Sequence, residues 1–197
     1  MPEKRLQIDG RILQNPEKIT DEQKVDIKEL GARLAKIKML ALDFDGTLTD
    51  GKVLINGFGT EYVTCSRRDG QGISLLKKTG VVVCVITSET NDVVMARCQK
   101  LGISYRRGLK TAEDKLRALE EMANARDIKP EEVAVMGDDV NDLKMLEWGA
   151  VAFTVADCHE KVRKVADYIT SRNGGDHAVR EAADLILMAK EGTKDGV

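Results

Sequence analysis

Met39-Leu-Ala-Leu-Asp43-Phe-Asp45-Gly46-Thr47 sets four apolar residues directly against two carboxylates, a glycine and a hydroxyl. A run that is apolar at every position, rather than at alternate ones, predicts a strand buried on both faces, as in a parallel sheet. Three more short runs repeat the pattern: Val81–Ile86, Val133–Met136 and Ala150–Phe153. The stretches between them, 72–78, 92–101, 112–125 and 141–148, fit helices. Strands alternating with helices predict an α/β fold with an open, doubly wound, mostly parallel sheet. One region departs from the alternation. Lys52–Ile55, Asn56-Gly57 and Glu61–Thr64 read as a β-hairpin or flap. Residues 1–19 are polar and aperiodic and are expected to form a loosely packed arm, broken at Asn15-Pro16. A helix is expected from Thr20 or Asp21, with Leu30, Leu34 and Ile37 on one face.

Composition limits the classes of function. The chain has 197 residues, 42% of them hydrophobic, enough for one core. The domain is expected over 38–190, with the arm and helix at 1–37 before it and a tail at 191–197. Lysine plus arginine number 31 against 33 acidic residues, a formal charge of −2, which argues against a dedicated nucleic-acid binder. The longest apolar run is far below the roughly 20 residues of a membrane span. The polar start at Met1–Arg5 does not resemble a signal peptide, and a cytoplasmic setting is expected. Cys65, Cys84, Cys98 and Cys158 form no C-x-x-C pair, which argues against a zinc site.

In open α/β sheets chemistry sits outside the carboxyl ends of the strands. There this sequence places Asp43 and Asp45, then Thr87-Ser88-Glu89, then Gly137-Asp138-Asp139-Val140-Asn141-Asp142. A single aspartate after a strand is usually a turn or cap residue. Two acidic clusters ending two buried strands concentrate negative charge, and a hard divalent cation such as Mg²⁺ is the usual remedy.

Asp43-x-Asp45-Gly46-Thr47, Thr87, Lys115 and Gly137-Asp138-Asp139-x-x-Asp142 resemble the four signature motifs of the haloacid dehalogenase superfamily. More narrowly, Leu48-Thr49-Asp50-Gly51, Asp69-Gly70-Gln71-Gly72-Ile73 and Gly174-Gly175-x-x-Ala178-Val179-Arg180-Glu181 resemble its capless phosphatases of 2-keto-3-deoxy sugar-acid phosphates. The resemblance implies hydrolysis of a phosphate monoester through an aspartyl-phosphate. Asp43 would be the nucleophile and Asp45 the general acid and base, while Thr87 and Lys115 would hold the phosphoryl oxygens. Mg²⁺ would bind Asp43, the Asp45 backbone carbonyl and Asp138, with Asp139 and Asp142 orienting the metal shell or Lys115. Too few residues separate the motifs for a cap domain. The resemblance implies instead a homotetramer whose hairpins pack between subunits and whose Gly-Gly segment reaches a neighbouring active site. Asn173-Gly174-Gly175 would be a flexible joint and Arg180 a substrate contact, although His177 stands where the family usually has glycine.

Two substrate classes remain open. Octulosonate (KDO) 8-phosphate enzymes resemble Gly-Arg-x-Ser after the motif-two hydroxyl, whereas this chain has Ser88-Glu89-Thr90 followed by Lys100. Nine-carbon sialic-acid or KDN 9-phosphate enzymes are similar in having glutamate there and a lysine further along. That favours the nine-carbon substrate, with Glu89 and Lys100 shaping the sugar pocket. The competing class is a non-catalytic oligomerisation partner of a CMP-sugar synthetase, against which the intact Asp43, Asp45, Thr87, Lys115 and Asp138 weigh.

Overall fold

The four apolar runs are neighbouring strands of one sheet. The computed structural model describes residues 7–11, 13 and 20–192, with the backbone alone at 21–25. In chain order the elements are β1 (Ile8–Asp9), α1 (Asp21–Ala35), β2 (Met39–Leu42), β3 (Leu54–Ile55), β4 (Glu61–Tyr62), α2 (Arg67–Lys78), β5 (Val82–Ile86) and α3 (Asp92–Leu101). They continue with β6 (Ser104–Arg106), α4 (Ala112–Asn124), β7 (Val133–Met136), α5 (Leu143–Trp148), β8 (Val151–Thr154), α6 (Glu160–Arg163), β9 (Tyr168–Ile169) and α7 (Ala178–Gly192).

Seven strands form the sheet β1-β9-β8-β7-β2-β5-β6, and every pairing is parallel. All four residues of β2 are buried because the sheet is covered on both faces. Leu40 and Leu42 point into one layer with Leu76 and Ile186, whereas Met39 and Ala41 point into the other with Leu119 and Leu146. The period of two along the strand thus feeds two cores at once. β3 and β4 pair antiparallel outside this sheet, forming the expected hairpin. Only that hairpin and α2 lie between β2 and β5, and only a short turn lies between α4 and β7, so no cap domain covers the strand ends.

Three strands escape the sequence reading. β1, β6 and β9 have only two or three residues, too few to show a period. β1 also corrects the expectation of a loosely packed arm. Ile8 is buried, its N–H donates to Asp167 O at 2.9 Å, and the Gly10 N–H donates to Ile169 O at 2.8 Å. Its neighbours at 1–6, 12 and 14–19 lie outside the described residues. Helix α2 starts at Arg67 instead of Gly72, capped by Ser66, whose Oγ accepts from the Arg68 and Asp69 N–H groups. Two glycines hide this first turn from a propensity reading. Gly72 is required by packing: a Cβ there would lie 3.0 Å from both Ala183 Cβ and Arg180 Cδ, where α2 crosses α7.

The segment before α7 differs from the expected flexible joint. Gly174 and Gly175 are pressed against residues 46–50 of their own chain. A Cβ on Gly174 would sit 1.8 Å from Gly46 O, and the Gly175 N–H donates to Thr47 O at 3.1 Å. His177 takes a left-handed φ of 74°, and its Nδ1 lies 2.8 Å from Ser66 Oγ. From there the chain turns into α7, whose third N–H, that of Arg180, donates to the buried Asp69 Oδ1 at 2.8 Å. Asp69 therefore caps α7 from α2.

Burial raises the Asp69 pKa from 3.8 to about 6, partly opposed by the Arg180 N–H. A carboxyl raised on folding stabilises the fold only while it stays protonated, so its contribution is lost as pH rises from about 4 through about 6. Asp69→Asn keeps the acceptor without the charge. Urea melts at pH 4.5 and 7.5 will show a smaller loss of stability between the two pH values for Asp69→Asn than for wild type, by on the order of 2 kcal/mol.

Candidate active site

Three strand ends and one helix start converge. The Asp43 N–H donates to Met136 O at 2.9 Å, extending the β2–β7 ladder one residue and leaving the Asp43 side chain buried at its end. The chain then turns tightly, with Leu48 and Thr49 N–H both donating to Phe44 O. Gly46 takes a φ of 82°, and a Cβ there would lie 2.1 Å from Asp138 Oδ2, so only glycine lets the first and last motifs approach. Thr49 Oγ1 donates to Asp45 Oδ1 at 3.2 Å and accepts from the Gly51 N–H at 3.1 Å, which fixes the second carboxylate.

Lys115 sits in the first turn of α4, behind a capping box in which Thr111 and Asp114 exchange hydrogen bonds. The box sets the helix start and so aims a wholly buried ammonium at the strand ends. Lys115 Nζ donates to Asp43 Oδ1 and to Asp142 Oδ1, each at 2.7 Å. The other Asp142 oxygen accepts from the Asp138 N–H at 3.1 Å. Asp142 therefore orients both Lys115 and the loop carrying Asp138. Asp139 caps the turn that follows through the Val140 N–H.

Negative charge exceeds positive here. One carboxylate oxygen each from Asp43, Asp138 and Asp142 lies within 4.8 Å of the others, with one ammonium among them. Burial, then repulsion from Asp142 and Asp139, pushes Asp138 up to about 7. Burial and Asp142 push Asp43 well above the usual carboxylate range, against the pull of Lys115. Burial works against the charge of Lys115, but Asp43 and Asp142 outweigh it and hold its pKa above the ordinary value. Asp45 is raised chiefly by burial, with Glu89 and Glu61 adding to it and Thr49 opposing. An all-oxygen donor set with surplus negative charge fits a hard divalent cation. A cavity of about 250 Å³ opens above it, lined by Asp43, Asp45, Gly46, Gly51, Thr87, Ser88, Asp138, Asp139 and Asn141.

Comparison with known proteins agrees with this geometry. A family model for haloacid dehalogenase-like hydrolases matches residues 109–182. The 3-deoxy-D-manno-octulosonate 8-phosphate phosphatase KdsC of Escherichia coli K12 is 36% identical over 159 residues, covering 81% of this chain and 84% of that protein. The chain belongs to the haloacid dehalogenase-like hydrolases. Among solved structures, the octulosonate 8-phosphate phosphatase of Moraxella catarrhalis, in complex with magnesium, phosphate and KDO, superposes with a TM-score of 0.80 at 35% identity. That match covers 85% of this chain and 95% of the other. A cobalt-bound octulosonate 8-phosphate phosphatase of Haemophilus influenzae gives a TM-score of 0.75 at 31% identity, covering 81% and 92%. Within the family this chain is a phosphoric monoester hydrolase.

Of the residues singled out in the sequence, Asp43, Asp45, Thr87, Lys115 and Asp138 meet at this one site. Three others do not join them as expected. Glu89 stands at its edge, but its Oε1 accepts from the Thr90 and Asn91 N–H groups, so the carboxylate caps a turn. Lys100 lies in the last turn of α3, whose axial rise carries it roughly 12 Å from the helix start beside Glu89, and it is exposed. Lys100 therefore stands apart from Glu89 along the helix. Arg180 is held by Asp184, with Nε 2.8 Å from both carboxylate oxygens, on a helix docked against α2. Sequence reasoning passed over Ser88 and Asn141 as site residues, although both lie inside quoted motifs. Asn141 Nδ2 donates to Ser88 Oγ at 3.0 Å across the cavity.

Lys115→Met leaves two buried carboxylates facing each other. We expect a loss of about 3–5 kcal/mol at pH 8 in metal-free protein, partly recovered at pH 5 as the carboxyls take up protons. Equal denaturant midpoints for variant and wild type at pH 8 would contradict this.

Proposed function

We propose that this chain hydrolyses the terminal phosphate monoester of a 2-keto-3-deoxy sugar acid, with Mg²⁺ as cofactor, through an aspartyl-phosphate. The observation that carries the reading is Asp43 at a strand end, two residues before Asp45 and bonded to the buried Lys115 at 2.7 Å. The Asp43 carboxylate attacks phosphorus in line, and the sugar oxygen leaves with the proton held by Asp45. Asp45 then takes a proton from water, which attacks the same phosphorus, releases phosphate and frees Asp43. The upward shift of Asp45 suits a group that must hold a proton to donate in the first half and take one up from water in the second. Thr87 Oγ1 accepts from the Glu89 N–H at 3.1 Å, which leaves its own proton for a phosphoryl oxygen, and Lys115 adds a positive charge beside it. Bound Mg²⁺, held by Asp43, Asp138 and the Asp45 carbonyl, supplies the charge that screens an anionic nucleophile from a phosphate dianion.

The eight-carbon octulosonate 8-phosphate is the favoured substrate. Glu89 and Lys100, the pair that points to a nine-carbon sugar, are apart in this chain, and the similar proteins are named for the octulosonate. Assembly into a homotetramer belongs to the same proposal. The hairpin exposes Leu54 at 72% and Phe58 at 96%, an apolar surface that a second copy would cover. All four cysteines are free, as in a reducing cytoplasm, and no helix of the described residues is long and apolar enough to cross a membrane.

Phosphate release with Mg²⁺ is expected from octulosonate 8-phosphate at a kcat/KM more than about tenfold above that for nine-carbon 9-phosphates, roughly 1.4 kcal/mol of discrimination. Asp43→Asn is expected to abolish release. The opposite preference would restore the nine-carbon reading. Inertness of every substrate, unaffected by Asp43→Asn, would favour the non-catalytic partner instead.

A further inference from the structure

Two hydroxyls stand side by side at the end of β5, and each has an oxygen lone pair occupied by an amide N–H. Thr87 Oγ1 accepts from the Glu89 N–H at 3.1 Å, a bond within its own turn. Ser88 Oγ accepts from Asn141 Nδ2 at 3.0 Å, a bond that crosses from the turn after β7. A hydroxyl has one proton and can direct it only where its lone pairs are not. Filling one lone pair therefore bars the proton from that direction and leaves it available to an acceptor in the cavity. Ser88 and Asn141 both line the cavity that also contains Asp43 and Thr87.

We propose that Ser88 is a second hydroxyl donor to the phosphoryl group and that Asn141 is the positioning residue that orients it. This rests on the phosphatase reading above and adds a contact to it. A phosphate dianion offers only acceptors, so the site needs donors and gains from each one whose direction is set before the substrate arrives. Beside Lys115, Thr87 and Ser88 would grip the transferring group from β5. The role assigned to the Asn141 amide is to act through Ser88, to whose oxygen one of its two N–H donors is committed. The reverse amide orientation, with Asn141 Oδ1 accepting the Ser88 proton, would turn the hydroxyl away from phosphate, and the two orientations give opposite results in the test.

The probe is inorganic phosphate as a competitive product inhibitor, measured at saturating Mg²⁺ alongside kcat and KM for octulosonate 8-phosphate. Ser88→Ala is expected to weaken phosphate inhibition about tenfold or more, as befits a lost donor to a charged acceptor, with the melting temperature unchanged. Ser88→Thr should restore it. Asn141→Ala should weaken inhibition similarly, and the double variant should be no worse than the worse single one, since both remove the same bond. Asn141→Asp should be more severe than Asn141→Ala, because a carboxylate draws the serine proton to itself and repels the anion. Unchanged phosphate inhibition in Ser88→Ala, or multiplicative losses in the double variant, would overturn the proposal while leaving wild-type turnover and the loss in Asp43→Asn intact. Failure of the phosphatase reading itself would show instead as an inactive wild type.

Discussion

A buried ammonium between two buried carboxylates organises this molecule. Lys115 reaches Asp43 and Asp142 at 2.7 Å each, and none of the three can be exposed to water without losing the arrangement. Desolvating three charges is costly, and the mutual attraction offsets that cost only when every partner is in place. The capping box that starts α4 and the ladder bond that extends β2 hold those positions. So do Gly46 and Gly137, each at a point where a side chain would strike an aspartate. The two glycines lie against the last-motif carboxylates, so the first and last motifs can close on each other. Charge balance remains incomplete even so, because Asp138 adds a third carboxylate that forms no ion pair among the described residues. A metal site is the natural completion.

The hydrogen bonds around this triad sort the carboxylates by role. Asp142 spends both oxygens on Lys115 and the 138–139 backbone, Asp139 caps the turn between them, and Asp45 is braced by a threonine at the cavity wall. Asp43 alone combines burial, the ammonium and a place on the cavity lining. The proposed nucleophile is thus marked out from a crowd of similar groups by geometry and not by residue type.

Much of this was legible in the sequence because the central strands are apolar at every position and end in the residues that do chemistry. β2 and β7 fall at the expected residues, and α3 has its expected bounds, because runs buried on both faces and strong caps leave unambiguous signatures. The edge strands were illegible: two residues in Ile8–Asp9 cannot show a period, and their pairing with β9 depends on a partner 160 residues away. Asp43, Asp45, Thr87 and Asp138 come together as expected, being consecutive with strand ends. Arg180 and Lys100 stand apart from them, since their positions depend on how helices dock. The tight seating of Gly174-Gly175 against Gly46 could not be inferred from a dipeptide that elsewhere marks flexibility. Ser88 and Asn141 carried a signal, adjacency to the motifs, but only the fold shows that they meet.

In the proposed reaction Asp43 forms a covalent bond to phosphorus before water does. The stereochemical course of hydrolysis, followed with a phosphorothioate analogue of the substrate that carries two oxygen isotopes at phosphorus and is hydrolysed in water of the third, so that the thiophosphate released is itself chiral, tests it most directly. Two in-line displacements, first by Asp43 and then by water, predict overall retention of configuration; inversion would mean that water attacks the substrate directly and that no aspartyl-phosphate forms.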